Sequence, residues 1–288
     1  MPELPEVETV RRSAERFLLG RRVESVRLRR RDIVTGSWRR SALLEGGVVV
    51  KVARHGKNLA VVVEDGRALG VHLGMSGQLL CVAKGARLAR TDHVHAEWRL
   101  GDLRMLFRDP RRFGGLETFE SEGAMLERSW GRLGPDAATV TGEELRDALG
   151  GSRRAIKAGL LDQRAVAGIG NIYADESLFA AGIHPLAICA ELSGAQWDRL
   201  AREVRRVLGE AIDAGGSTLR DYRDATGGEG WFQTKHLVYG HAGEPCPRCG
   251  PRTGRTLERL TIAQRTTVSC AGLRPDATMP CAFGLSDN

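Results

Sequence analysis

The sequence predicts an α+β chain of more than one domain: an N-terminal helix with a two-sheet β-sandwich, then a helical region, then a tail of short elements. Three observations carry this. Apolar residues recur at helical spacing at the start, strand-like runs fill the stretch up to about residue 120, and helical signals return after residue 141.

Over residues 3–19, Leu4, Val7, Val10, Ala14 and Phe17 share one helix face; Pro5 suits the first turn and Gly20 the stop. The period then changes. Residues 48–52 and 59–64 are β-branched runs. Asp65-Gly66 before 68–73, and Gly101-Asp102 between 97–100 and 103–107, read as hairpin turns. Short strands at this spacing predict a sandwich or barrel. Gly131, Gly134 and Pro135 break the pattern at the domain boundary. Beyond it, Thr141 and Glu144 form a capping-box pattern, and Ser152 is read as the cap of a helix reaching Leu161. Asn171 is read as an N-cap of a helix ending near Gly182 and Pro185. Ser193 opens a long helix through Trp197, Leu200, Val204, Leu208 and Ile212, stopped by Gly215-Gly216. Residues 217–235 read as a mobile loop, and there is no internal repeat.

A 42% hydrophobic content supports a normal core across 288 residues, which excludes wholesale disorder. No apolar run approaches the roughly 20 residues of a membrane span. The immediately acidic start MPELPEVETV is no targeting peptide, so a cytoplasmic protein is expected. Six Cys in this length are free thiols or metal ligands rather than a disulfide framework, with Cys81 and Cys189 read as buried thiols. A net charge of +7 fits a polyanionic partner and equally a solvated, Arg-rich surface. Of 43 basic residues only five are Lys (51, 57, 84, 157 and 235), so each Lys is a candidate for work that Arg cannot do.

Pro2 is the first chemical candidate. Removal of Met1 leaves a secondary amine, and an α-amino group with a pKa of about 7.7–8.0 is partly unprotonated at neutral pH. Such an amine attacks an aldehydic carbon to give an iminium, an electron sink that permits elimination. Glu3 and Glu6 lie beside it as candidate acids or bases. Taken alone, Met-Pro-Glu is also an ordinary chain start and Pro5 an ordinary first-turn residue.

The start MPELPEVETVRR is followed in order by RHGKNL at 54–59, HLGMSGQL at 72–79, DPRRFGGLE at 109–117 and KAGLLDQRAVAGIGNIYADESLF at 157–179. GGSTLRDY at 215–222, GWFQTKHLVYGH at 230–241 and CPRCG at 246–250 complete the series. This run resembles the formamidopyrimidine-DNA glycosylase/endonuclease VIII family along the whole chain, and LPEVE resembles its purine-lesion branch. The resemblance implies Pro2 as nucleophile on the sugar C1′, Glu3 as acid/base, and Lys57 as a contact to the lesion phosphate. It implies that Met75, Arg111 and Phe113 fill the space left by a flipped nucleotide. It places His72, Lys157, Asn171 and Arg265 at DNA phosphates, and Ser217, Thr218, Leu219 and Arg220 in a lesion-recognition loop. The implied division is a catalytic β-sandwich domain at 1–134, a DNA-binding domain with a helix-two-turns-helix and the loop at 135–240, and a zinc-finger-like hairpin at 241–288.

The finger departs from the family pattern. Cys246 and Cys249 form one intact pair, but the second begins at Cys270 and its partner position holds Leu273. A structural zinc takes four ligands. Cys281 from a longer loop, His241 or a water, or a finger without stable zinc are the three alternatives. The resulting expectation is a monomeric DNA-repair enzyme. It is a bifunctional glycosylase and apurinic/apyrimidinic lyase of base-excision repair that excises 8-oxoguanine and formamidopyrimidines by β,δ-elimination. The rivals are an endonuclease VIII-like specificity for oxidised pyrimidines and an inactive lesion-DNA-binding relative. Double-stranded DNA is the expected partner, with no membrane and no redox or nucleotide cofactor.

Overall fold

A computed structural model describes residues 2–86, 92–249 and 253–274. The chain divides into two compact units: Met1–Arg132 with Ala211–Gln233, and Leu133–Glu210 with Thr234–Asn288. The return of residues 211–233 to the first unit is a grouping that the local sequence pattern does not reveal.

The first unit begins with helix α1, Leu4–Leu18, close to the predicted span. Two sheets follow. One has five strands in the order β2 (Val34–Thr35), β9 (Gly115–Phe119), β5 (Ala68–His72), β4 (Asn58–Val63) and β3 (Val49–His55). The other runs β1 (Ser25–Leu28), β7 (Val94–Leu100), β8 (Leu103–Arg108) and β6 (Gln78–Ala83). All pairs are antiparallel except β2 with β9. Both predicted hairpin turns are present, with Gly66 and Gly101 in the left-handed region.

Val7, Val10, Ala14 and Leu18 of α1 join inward residues of both sheets, among them Val52, Val61, Val71, Trp98, Met105 and Phe107, in one apolar core. The sheets therefore bury their inner faces against each other, as the alternation of apolar residues requires. Trp98 is fully buried, and its indole N–H donates to the Leu43 carbonyl at 2.9 Å, which satisfies its one polar atom. Helix α2, Glu122–Arg128, covers part of the outer face of the five-stranded sheet, where Met125 packs on Ala60, Val62, Ala68 and Phe119.

In the second unit, helix α3 (Gly142–Leu149) starts at the predicted Thr141/Glu144 capping box. Ser152 caps no helix. Its hydroxyl accepts from Arg154 N at 3.2 Å, and the next helix, α4, is only Ile156–Leu160. Helix α5 spans Asn171–Ala181 and ends in left-handed Gly182; its N-cap is Gly170, so Asn171 is the first helical residue rather than the cap. The long helix α6, Gly194–Asp213, carries the predicted apolar stripe, with Trp197, Leu200, Val204 and Leu208 buried. Strands β10 (Leu257–Ile262) and β11 (Arg265–Cys270) form the C-terminal hairpin. Among the described residues no helix is long and apolar enough to cross a membrane.

Glu8 on α1 ties the first unit together. Its carboxylate accepts from Arg11 at 3.0 Å, Arg12 at 2.8 Å and Arg54 of β3 at 2.9 Å. Burial alone raises its pKa, but the hydrogen bonds from Arg11, Arg54 and Arg12 outweigh burial and hold it at about 2. A depressed carboxylate stabilises the fold at pH values above its unfolded pKa and loses that contribution as pH falls toward its folded value. Between pH 4.5 and about 2, Glu8 should therefore release on the order of 3 kcal/mol of stability. Acid titration of the folded state should show Glu8→Gln to be destabilised at pH 7 and to lose less stability over that window than the parent. An unchanged acid slope contradicts the assignment.

Candidate active site

Pro2, Glu3 and Glu6 are all buried at the start of α1, with Glu3 only 3% and Glu6 2% exposed. Glu3 is the N-cap residue and forms a reciprocal capping box with Glu6. Glu6 Oε2 accepts from Glu3 N at 2.8 Å, while its Oε1 accepts from Ser217 N at 2.7 Å. One carboxylate thus spans the helix start and the base of the 217–230 segment, which lie 211 residues apart in sequence. Gly216 makes the close approach possible. Its φ is +81°, and a Cβ there would meet Glu6 Oε1 at 2.9 Å. The sequence marked Glu6 only as a candidate acid or base; its role as a splint depends on a distant residue.

Lys57 sits in the two-residue turn joining β3 to β4, after Gly56 at φ +56°. Arg54 fastens this turn to α1: its Nε donates to Glu8 at 2.9 Å and its Nη1 to the Gly56 carbonyl at 3.0 Å. His72 lies opposite Asn58 in the neighbouring strand, with Nδ1 and Asn58 Oδ1 3.1 Å apart. Partial desolvation, then the Lys57 ammonium, lowers the pKa of its imidazole from the usual value.

Met75, Arg111 and Phe113 come from two loops that a single buried carboxylate joins. Asp109 accepts from Ser76 Oγ at 2.5 Å and Arg111 N at 3.3 Å through one oxygen, and from Gly114 N at 2.7 Å through the other. Ser76 Oγ also accepts from Arg111 N at 3.1 Å. Gly74 lies so close to Phe113 that a Cβ would sit 2.4 Å from its carbonyl. The outcome is an exposed apolar Met75 at 39%, an exposed Phe113 at 56%, and the Arg111 guanidinium 4.9 Å over the Phe113 ring. Asp109 was not singled out from the sequence, although Asp before Pro is a known turn-initiating signal. Arg112, at φ +57°, turns away to Asp32 at 3.3 Å.

The segment expected to be mobile is anchored at several points. Gln78 donates to the Asp221 carbonyl at 2.6 Å and Cys81 N to Ala225 O at 2.7 Å, while Tyr222 and Ala225 enter the core. Thr218 N donates to Gln233 Oε1 at 2.9 Å, and Thr218 Oγ1 accepts from Gly230 N at 2.8 Å. Ser217 is buried, whereas Leu219 and Arg220 form the exposed tip. A Gly-rich composition signalled freedom of the backbone and could not show these anchors.

The remaining predicted residues belong to the second unit. Lys157 is not at the surface: it is wholly buried, with Nζ 2.7 Å from Asp175 and donating to Thr267 Oγ1 at 2.7 Å. It therefore cannot be a solvent-facing phosphate contact in this conformation. Its ammonium is spent on fixing β11 against α5, and Asp175 also accepts from Val268 N at 3.2 Å. Burial, only partly offset by Lys157, pushes the Asp175 carboxyl up to about 6. Asn171 Nδ2 donates to the Thr266 carbonyl at 2.9 Å. Arg265 is exposed beside it, directly after a two-residue turn in which Ala263 and Gln264 both have positive φ. That geometry suits a hairpin, but these residue types strain it.

Cys246, Cys249 and Cys270 gather their sulfurs within 4.8 Å of one another, a group that could hold a metal ion. Leu273 packs in the apolar cluster with Cys246 and Cys270 and offers no donor. His241 is outside the cysteine group and directs Nδ1 at Glu244 Oε2, 2.9 Å away. Cys281 lies outside the described residues. Cys81 and Cys189 are buried free thiols, as expected.

Two family models match the chain: the formamidopyrimidine-DNA glycosylase N-terminal domain over residues 1–116 and the family's H2TH domain over residues 133–223. A formamidopyrimidine-DNA glycosylase of Rhodospirillum rubrum is 42% identical, covering 94% of this chain and 98% of the relative. One from Cereibacter sphaeroides is 41% identical, covering 90% and 95%. The crystal structure of the MutM (Fpg) protein of Thermus thermophilus superposes with a TM-score of 0.81 at 42% identity, over 93% of this chain and 97% of that one. Lactococcus lactis Fpg in complex with abasic-site DNA gives 0.83 at 32% identity, over 93% and 97%. The chain belongs to the formamidopyrimidine-DNA glycosylase family, the bifunctional DNA glycosylase/lyases of base-excision repair.

Proposed function

We propose that the chain excises 8-oxoguanine and formamidopyrimidines from double-stranded DNA and then cuts the strand at the exposed sugar. The observation that carries this reading is the buried Pro2-Glu3 start, clamped by Glu6 and standing at the head of a family-matched chain. With Met1 removed, the Pro2 nitrogen attacks C1′ and the damaged base departs with the glycosidic bond electrons and a proton. Glu3 donates a proton to the ring oxygen O4′ as the C1′–O4′ bond opens, leaving the iminium. Loss of a C2′ proton breaks the C3′–O bond, and a second elimination breaks the C5′–O bond. The positive end of α1 and the Lys57 ammonium both favour the uncharged amine needed for attack.

In this reading Lys57 and His72 hold the lesion phosphate, and Met75, Arg111 and Phe113 fill the vacated stack. Asn171 and Arg265 grip phosphates, with Lys157 supporting Arg265 through the hairpin. Ser217 and Thr218 form the base of the loop over the flipped nucleotide, and Leu219 and Arg220 its tip. Three cysteine sulfurs in one group suit zinc, with Cys246, Cys249 and Cys270 as ligands in the reduced protein and Cys281 supplying the fourth sulfur. When bound, zinc contributes folding energy to the hairpin that presents Arg265 and takes no part in the chemistry.

Three outcomes are expected. Borohydride should trap the wild type covalently on an abasic-site duplex, and Pro2→Gly should lower trapping at least a hundredfold; absence of a wild-type adduct refutes the enzyme reading. Metal analysis should find about one zinc per chain, reduced in Cys281→Ser; full occupancy in that variant rules out Cys281 as the ligand. Glu6→Ala strips the acceptor from two buried N–H groups, each worth roughly 1–3 kcal/mol. Its excision rate at saturating DNA should fall more than tenfold while duplex affinity changes by less than threefold. Equal losses in both would show Glu6 to act in DNA binding.

A further inference from the structure

Most arginines of the first unit are committed to carboxylates: Arg11, Arg12 and Arg54 to Glu8, Arg67 to Asp65, and Arg108 to Asp92. Arg27, Arg31, Arg39 and Arg40 are different. Among the described residues none of them has a carboxylate within ion-pair distance, yet all four line one concavity of about 260 Å³ with Trp38 and Val26.

The neighbouring acids do not neutralise them. Asp32 is held by Arg30 at 2.9 Å and Arg112 at 3.3 Å. Glu97 faces Arg29 at 3.6 Å and Arg99 and Arg104 at 3.9 Å, and Glu45 accepts from Val26 N at 2.8 Å. Trp38 is half exposed, outside the core, with the Arg31 guanidinium 3.9 Å from its ring centroid. The fold therefore leaves an aromatic surface ringed by uncompensated guanidinium groups.

Guanidinium forks match phosphate oxygens, and an aromatic side chain among cations is the usual platform for an unstacked base. A duplex base is already stacked on both faces and leaves Trp38 nothing to cover. The concavity is below the range of drug-sized pockets and suits a single nucleotide unit. We propose that this patch binds single-stranded nucleic acid, with one base on Trp38 and the flanking phosphates on Arg27, Arg31, Arg39 and Arg40. The site is separate from the residues assigned above to lesion excision.

The test uses the full-length protein and a fluorescent (dT)12 strand, read by anisotropy with excess unlabelled duplex carrying an abasic analogue. The wild type should bind (dT)12 in the presence of that duplex. Trp38→Ala should weaken binding roughly tenfold and Trp38→Phe by much less. Arg39→Ala with Arg40→Ala should reduce the salt slope by about 1.4. Borohydride trapping on an abasic duplex should be unchanged in all three variants, which separates this site from the excision site and reports that each is folded. Displacement of (dT)12 by the duplex, wild-type affinity in both Trp38→Ala and the double arginine variant, or an equal loss of undamaged-duplex binding would each overturn the proposal.

Discussion

The proposed nucleophile, Pro2, stands at a chain end and so meets a physical difficulty: termini fray, whereas attack on a sugar carbon needs a fixed nitrogen. The Glu6 carboxylate resolves this. It satisfies the Glu3 N–H at 2.8 Å and the Ser217 N–H at 2.7 Å, both in a buried setting where an unmade hydrogen bond is expensive. The beginning of the chain is thereby ordered by the same group that orders the base of the 217–230 segment. Glu8, two residues further on and so on another side of the helix, repeats the device toward β3 through Arg54, whose guanidinium also holds the turn bearing Lys57. Pro2, Lys57 and Ser217 are thus referred to one helix by two carboxylates.

Asp109 applies the same logic to the exposed tip. Met75 and Phe113 are apolar and face solvent, so the hydrophobic effect works against presenting them. Asp109 supplies the fixed geometry instead, because its two oxygens bond Ser76 in one loop and Arg111 and Gly114 in the other. The side chains that stand out at the surface are held by a fully buried charge beneath them. For the wedge role proposed for Met75 and Phe113, preorganisation of this kind moves the ordering cost from binding into folding.

Local signals in the sequence match the fold where the structure is local. The α1 stripe, the Asp65-Gly66 and Gly101-Asp102 turns and the Thr141/Glu144 box are all present, because each depends on residues a few positions apart. Ser152 and Asn171 are cap-type residues that cap no helix, because hydroxyl and amide side chains have other uses. Ser152 takes a local Arg154 bond, and Asn171 reaches 95 residues away to Thr266. The candidate site followed from motif spacing, but its supports did not. Glu6, Asp109 and the Gln78 and Tyr222 anchors act across sequence separations that no periodicity encodes.

The scarcity of lysine turns out to carry two different meanings. Lys57 occupies a hairpin turn, held in place by an Arg54 bond to the Gly56 carbonyl. Lys157 is wholly buried, where a compact ammonium with three donors serves Asp175, Thr267 Oγ1 and the Thr266 carbonyl together. A planar guanidinium could not direct its donors to these three atoms from one point. Removing Lys157 leaves Asp175 as an uncompensated buried carboxylate, and breaking such a pair typically costs about 3–5 kcal/mol. Its effect on Arg265 is therefore structural, transmitted through β11, although the same lysine looks from the sequence like one more phosphate contact. Scarcity marks both lysines, and both are buried, Lys57 at 8% and Lys157 at 0% exposure; what identifies Lys157 as a scaffold residue is its ion pair to Asp175 and its bonds to Thr266 and Thr267 of β11.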